Sequence, residues 1–343
     1  METFVRTHVA LFAGLGGFIT SCNRVGFNTI FASDIEESCT QTIKQSFPEV
    51  PVSQKNIKEL SLVDELKPDQ KIDLLSAGFP CQSFSNAGSN LGFDDERGKL
   101  FFEIPRIVKE LARPPKVILL ENVPNLKTFD SGARLQIVIQ ELRMLGYWIS
   151  ESQAVILKSR EITGSPQNRE RLYMVAFHSA YFKRNYFEYK NIKKEKILSL
   201  KEHLHLTEKQ DVTLYLDKKN KYFEMIRQSI AKNGSNRLFQ IRRVGVRACP
   251  LGTCPTLTAN MGGGGHNVPF IEDNWGIRKL SVSECLSMQG YNASDISFPD
   301  SISNSARYTM IGNAIHAGTV EKIVKHISFE KERKFHDRMA LSS

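Results

Sequence analysis

Two reactive groups stand at or just past the ends of short apolar runs. Cys81 follows the run Ile72-Asp73-Leu74-Leu75-Ser76-Ala77-Gly78, in the stretch Gly78-Phe79-Pro80-Cys81-Gln82-Ser83. Glu121 ends the next run, Val117-Ile118-Leu119-Leu120. Runs of this length, bounded by turn residues, read as buried parallel strands. Residues just beyond the carboxyl ends of such strands lie where open sheets bind ligands. A lone cysteine is most often a small buried hydrophobe. A carboxyl group at the neighbouring strand end changes that reading, because a nucleophilic thiol and a proton-holding acid form a working pair. The charged stretch Gln167-Asn168-Arg169-Glu170-Arg171 enters another apolar run that ends at Phe177. Alone it reads as a solvated turn.

A second constellation opens the chain. Phe12-Ala13-Gly14-Leu15-Gly16-Gly17 lies between a strand-like run and a helical stretch. Glycines there let backbone come close to a ligand, and the helix N–H groups point at it. Asp34 ends the following run, 20 residues after Gly14, the spacing at which an acid grips a ribose. Nicotinamide dinucleotides and S-adenosylmethionine both fit this pair of signals.

The elements that must position these groups alternate strand and helix through the first half of the chain, with helical periodicity over 101–112. That rhythm is expected of an α/β, doubly wound sheet. Near residue 181 the texture becomes Lys-rich and polar, and a second, smaller, irregular or β-rich domain is expected. Helical patterning returns from about 278, and 317–328 reads as a last amphipathic helix. The expected organisation is 1–183 plus 305–330 for one domain, 184–275 for the other, 276–304 as a hinge and 331–343 as a frayed tail.

Length and charge limit the function further. The 343 residues carry a net charge of +9, which suits a polyanionic partner. Segment 225–271 has six basic residues and no acid. No apolar run approaches a membrane span, and the first residues lack a signal-peptide layout. The six cysteines are scattered and form no C-x-x-C pair. Free thiols in a reducing cytoplasm are expected, with no metal.

Together, Phe-Ala-Gly-Leu-Gly-Gly at 12–17, Phe-Pro-Cys-Gln at 79–82, Glu-Asn-Val at 121–123, Gln-Asn-Arg-Glu-Arg at 167–171 and Gly-Asn-Ala at 312–314 resemble the ordered motif set of the cytosine-5 DNA methyltransferases. Arg-Lys-Leu-Ser-Val-Ser-Glu-Cys at 278–285 resembles the segment after their recognition region. The resemblance spans residues 8 to about 327. It implies a Rossmann-like S-adenosylmethionine-dependent domain with a target-recognition domain. It also implies double-stranded DNA as substrate and a base flipped out of the duplex for attack. The product from the cofactor would be S-adenosylhomocysteine.

Carried onto this chain, the family's roles make Cys81 the nucleophile. Glu121 contacts N3 and the exocyclic amine of the base, Arg171 its carbonyl, and Arg169 supports the same region. Phe12, Gly14, Leu15, Gly16, Gly17, Asp34, Ile35, Asn56 and Ile57 would hold the adenosine side of the cofactor. Asn56 stands where an acid is common. Gly78, Pro80 and Leu100 would line the methionine side, with Asn313 and Ile315 closing the pocket from the far end of the chain. Residues 82–99, with Gln82, Ser85 and Arg97, would close on DNA. Arg242, Arg243 and Arg247 are candidates for guanine contacts, and Thr256-Leu257 matches the Thr-Leu marker of the recognition region.

The resemblance also implies a bacterial restriction-modification enzyme in the cytoplasm or nucleoid, monomeric, with a restriction endonuclease as functional partner. An RNA cytosine methyltransferase is the nearest alternative, but the Cys-Phe-Thr of the tRNA-modifying branch is missing from the recognition region. A catalytically dead DNA-binding relative would not need both Cys81 and Glu121. A nicotinamide dehydrogenase would explain 12–34 and nothing later.

Overall fold

The computed structural model describes residues 5–80, 100–243, 245–264 and 267–332. Strands β1 (Arg6–Leu11), β2 (Phe27–Ser33), β3 (Val52–Ser53), β4 (Leu74–Ala77) and β5 (Val117–Asn122) run parallel in the order β3-β2-β1-β4-β5. Of the next four strands, β6 (Tyr147–Trp148), β7 (Ala154–Lys158), β8 (Gln167–Asn168) and β9 (Glu170–His178), β8 leaves this sheet. β9 runs antiparallel beside β5 and pairs on its other edge with β6 and β7.

Alternation along the strands divides the core between the two faces of the sheet. Val9, Leu11, Leu75, Ile118 and Leu120 face Phe101, Ile104 and Ile107 of the helix Leu100–Glu110. Ala10, Leu74, Val117 and Leu119 face the core shared with the helices Gly17–Arg24 and Ala317–Lys325. One polar residue is fixed inside the sheet. His8 bonds Thr29 Oγ1 at 2.9 Å and Ser76 Oγ at 2.7 Å, and burial holds its pKa at about 3. A neutral imidazole therefore ties β1 to β2 and β4.

The chain leaves β1 toward β2 on one side and reaches β4 on the other. The carboxyl ends of β1 and β4 therefore bound a topological switch point, the place where such sheets leave a crevice.

The remaining strands build two smaller sheets. β10 (Phe239–Arg242), β11 (Gly245–Ala248), β13 (Phe270–Asp273) and β14 (Gly276–Lys279) form an antiparallel sheet in the order β11-β10-β13-β14, while β12 (Cys254–Pro255) pairs in parallel with β8. Phe239, Ile241, Phe270 and Ile277 pack with Ile226 of the helix Lys221–Asn233.

That helix is not evident in the sequence, because its apolar stripe is only Tyr222, Phe223, Ile226 and Ile230 among polar neighbours. The expected domain limits also shift. Phe187, Ile192 and Leu200 belong to the large core, and Tyr189 donates to the Tyr173 carbonyl oxygen at 2.8 Å. Leu238, Cys249 and Val268 of the same expected domain join the large core too, while the small core takes in Leu216 with the residues above. β14 lies inside the small sheet, although its sequence was expected in the hinge.

Two devices lock the small sheet to the rest. Arg278, fully buried, donates to Asp273 at 2.7 Å and to both Glu284 oxygens at 2.8 Å, and its remaining bonds reach the carbonyls of Lys279 and His205. A buried charge held on all sides like this avoids the penalty of an unpaired one. Glu284 also closes the capping box with Ser281 at the start of the helix Val282–Met288. The second device is close backbone contact. The helix Asn304–Asn313 crosses 259–262 so tightly that a Cβ on Gly312 would lie 2.0 Å from the Thr258 carbonyl carbon.

Gly312→Ala is therefore expected to push two backbone segments apart and lower stability by about 1–3 kcal/mol, the usual cost of overpacking. Thermal unfolding followed by circular dichroism checks this; an unchanged midpoint would count against the close crossing.

Candidate active site and nucleic-acid interface

The switch point carries the glycine turn. Phe12, Gly14 and Gly16 all have positive φ, and Gly17 starts the following helix. Gly16 is needed for packing as well as for its φ of 86°, since a Cβ there would meet the Phe47 ring at 2.7 Å. The turn is pinned by Asp34. One carboxylate oxygen accepts from Gly14 N–H at 2.7 Å and the other from Glu36 N–H at 3.0 Å. Burial raises the Asp34 pKa, and these two backbone bonds oppose the rise.

Asp34 borders a cavity of about 210 Å³ with Phe12, Ile35, Asn56, Ile57, Pro80 and Leu100 among its walls. An aromatic ring, aliphatic walls and one acid at a switch point fit a nucleoside. Of the remaining expected cofactor residues, Leu15 is in the core. Ile315 lies between Gly17 and Gly78, where a Cβ on Gly17 would meet it at 2.4 Å and one on Gly78 at 3.9 Å. Asn313 is exposed at the end of its helix and does not line the cavity.

Gly78 also faces the second constellation, because a Cβ there would lie 3.6 Å from Glu121 Oε2. Asn122 Nδ2 donates to the Phe79 carbonyl oxygen at 3.0 Å, which holds the segment leading to Cys81 beside the end of β5. Cys81, Gln82, Ser85 and Arg97 lie outside the described residues. Glu121 is 8% exposed and bonded to Arg171 Nε at 3.1 Å. The pairing of β5 with β9 brings them together, since Asn122 stands opposite Leu172, next to Arg171 in the chain. Burial raises the Glu121 pKa above the usual carboxylate range, against the pull of Arg171 and Arg169.

Arg169 does different work from Arg171. Its side chain is buried and donates to the carbonyls of Leu257, Gly312 and Ala314. Burial, followed by the like charge of Arg171, holds its pKa down to about 9. Gln167 completes the junction. It accepts from Leu257 N–H at 3.1 Å and donates to the Met288 carbonyl at 2.8 Å. Leu257 is thus a buried anchor with both backbone groups engaged, at the edge of the polar cleft described next. Gln167 was missed in the sequence, although it opens the charged motif.

Thr256 does border open space. A polar cleft of about 330 Å³ is lined by Asn168, Gln240, Arg242, Arg247, Thr256 and Asn260, with further residues of 255–269. Arg243 does not line it. Gln240 and Asn168 were missed too, though the alternation Phe239-Gln240-Ile241-Arg242 could have placed Gln240 on the outer face. A larger open groove of about 650 Å³, bordered by Leu286, Tyr291 and Tyr308, contains none of the expected site residues. The other five cysteines are free and buried. Among the described residues no cluster of metal-ligating side chains occurs, and no helix is long and apolar enough to cross a membrane.

Comparison with known proteins fits this arrangement. The family of C-5 cytosine-specific DNA methylases matches residues 7–328. The chain belongs to that family. Among its relatives, the methylase is 34% identical to the type II methyltransferase M.Bsp6I of a Bacillus species, over 93% of this chain and 97% of that one. It is 32% identical to M.HhaI of Haemophilus parahaemolyticus, over 93% of each. The fold also matches a solved putative DNA modification methyltransferase of an Escherichia coli prophage, with a TM-score of 0.70, 20% identity and coverage of 94% and 98%.

The raised Glu121 pKa gives the methylase a testable pH signature. A carboxyl that binds its proton more tightly when folded adds stability below the usual carboxylate pKa, and that contribution is lost as pH rises through the raised value. Glu121→Gln is neutral throughout. Its thermal midpoint is expected to gain on the parent's as pH rises from about 4 to 8. A constant difference across that range would contradict the raised pKa.

Proposed function

We propose that this methylase acts on duplex DNA, adding a methyl group at carbon 5 of a flipped-out cytosine through a covalent bond to Cys81. The observation that carries the reading is the buried Glu121–Arg171 pair, set beside Gly78 and the Phe79–Pro80 approach to Cys81 and close to the cavity that Asp34 borders. S-adenosylmethionine, when bound, supplies an electrophilic methyl group, and Phe12, Asp34, Ile57, Pro80 and Leu100 are the residues that would hold it.

The chain's own residues act on the base. The Cys81 thiolate adds to carbon 6, and the electron pair pushed onto the ring makes carbon 5 nucleophilic. A free cysteine near pH 7 is only a few per cent thiolate, so capture depends on holding the base in place. Glu121, whose pKa burial raises, is set to give a proton to N3 as negative charge develops there. Arg171 fixes Glu121 through Nε, donates to the Glu170 carbonyl through Nη1, and offers Nη2 to the base carbonyl. Once carbon 5 is methylated, its proton leaves to a base, the Cys81 bond breaks and N3 returns its proton to Glu121, restoring the aromatic ring, the thiolate and the acid.

The relatives named above are type II methyltransferases of bacteria. We propose that this chain serves a restriction-modification system, as a cytoplasmic monomer protecting DNA from a partner endonuclease.

DNA carrying 5-fluorocytosine cannot lose a proton at carbon 5, so the wild-type chain with S-adenosylmethionine is expected to form an adduct that survives denaturing electrophoresis. Cys81→Ser is expected to form none, and an adduct with that variant would refute the assignment. Glu121→Gln is expected to turn over about 10²-fold more slowly while binding the methyl donor normally by calorimetry. Asp34→Ala has the opposite signature. Loss of a hydrogen bond from a charged acceptor is expected to weaken donor binding by about ten- to a hundredfold. Unchanged donor affinity would remove Asp34 from the cofactor site.

A further inference from the structure

Strands β10 and β11 form a two-stranded ribbon with a buried face and an open one. Phe239, Ile241 and Val246 turn into the small core, so alternation turns Gln240, Arg242 and Arg247 to the other side. The register sets Gln240 directly opposite Arg247, and all three line the 330 Å³ polar cleft. One wall of the cleft is fastened to the catalytic strands, because Thr256 Oγ1 donates to the carbonyl of Asn168, the residue before Arg169. This wall of the cleft therefore stands three residues along the chain from Arg171, which holds Glu121.

The polarity of the ribbon is set by one hydrogen bond. Arg242 Nη2 donates to Gln240 Oε1 at 2.7 Å. A free glutamine offers a carbonyl and an amide side by side, the pair that matches the N6 donor and N7 acceptor of adenine. The carbonyl keeps a second lone pair, but the cation beside it repels a further donor such as the adenine amine, so Gln240 acts mainly through its NH₂ group, and Arg247 has only donors to present. No acid lies anywhere in 225–271 to reverse this polarity. In the major groove, guanine is the base that shows two acceptors, N7 and O6, with no donor between them.

We propose that Gln240 and Arg247 read guanines near the target cytosine, and that Arg242 is a positioning residue that orients Gln240 and, by its charge, disfavours adenine there. The proposal rests on the DNA-methylation reading above and adds the residues and base class of its specificity.

The test is a duplex library with randomised base pairs around a cytosine, methylated by the full chain and read by bisulfite sequencing. Wild type is expected to demand guanine at two positions near the target. Gln240→Ala and Arg242→Met are expected to relax the same one of these, Arg242→Met by admitting adenine, and Arg247→Met to relax the other. Discrimination at the affected position is expected to fall about ten- to a hundredfold. A consensus unchanged by Gln240→Ala or by Arg242→Met would overturn the proposal, as would adenine at the position that Gln240 reads in wild type.

A second measurement needs no variant. Replacing the specified guanines with 7-deazaguanine removes the N7 acceptor and is expected to weaken wild-type binding by about tenfold or more in a gel-shift assay, whereas unchanged binding would refute the reading. Absence of any cytosine methylation by wild type would instead sink the underlying function.

Discussion

The guanidinium of Arg169 holds three distant parts of the chain in one register. Its acceptors are the carbonyls of Leu257, in the recognition region, and of Gly312 and Ala314, close to the C-terminal helix. A buried cation needs such partners, since losing them leaves an uncompensated charge. Hydrogen bonds to a charged group are also among the stronger ones, at about 1.5–3 kcal/mol. The constraint reaches the chemistry because Arg169 is two residues from Arg171, which holds Glu121. Arg169 is thus better understood as a positioning residue than as one that touches the base.

Around this junction, glycine and glutamine do what charge alone could not. Gly312 lets a helix approach the 258–259 backbone closely enough for its end to present carbonyls to Arg169. Gln167 and Gln289 bridge the strand, the recognition segment and the helix ends through backbone groups that would otherwise be buried without partners. The result is a rigid corner between the large sheet and the cleft, so DNA held on one side has a fixed relation to the carboxyl group on the other.

The electrostatic design follows from burial. Glu121 is pushed toward its neutral form by desolvation while a neighbouring arginine pulls the other way. The compromise suits a group that must exchange a proton with a base. The β10–β11 ribbon lies in an acid-free stretch and lines an open polar cleft, a surface suited to a polyanion.

Much of this was legible from residues alone. Apolar runs of four to six residues located β1, β2, β4 and β5, and those strands put Asp34, Gly78 and Glu121 at one rim by period and length. The order of the motifs was enough to suggest the family, because it constrains nearly the whole chain at once. Local pattern could not separate Arg169 from Arg171, two residues apart in one motif, because their partners lie far away in sequence: Leu257 for one and Glu121 for the other. Nor could it show that Leu257 is buried with both backbone groups engaged, or that Phe187, Ile192 and Leu200 pack in the large core. The helix Lys221–Asn233 and the strand β14 were hidden for a related reason, since each has few apolar anchors and depends on the small core for its stability. Residue types and short spacings fixed which chemistry was available. Tertiary packing decided which of two equivalent arginines pairs with Glu121 and which holds the frame, because only the fold determines where each buried charge finds its acceptors.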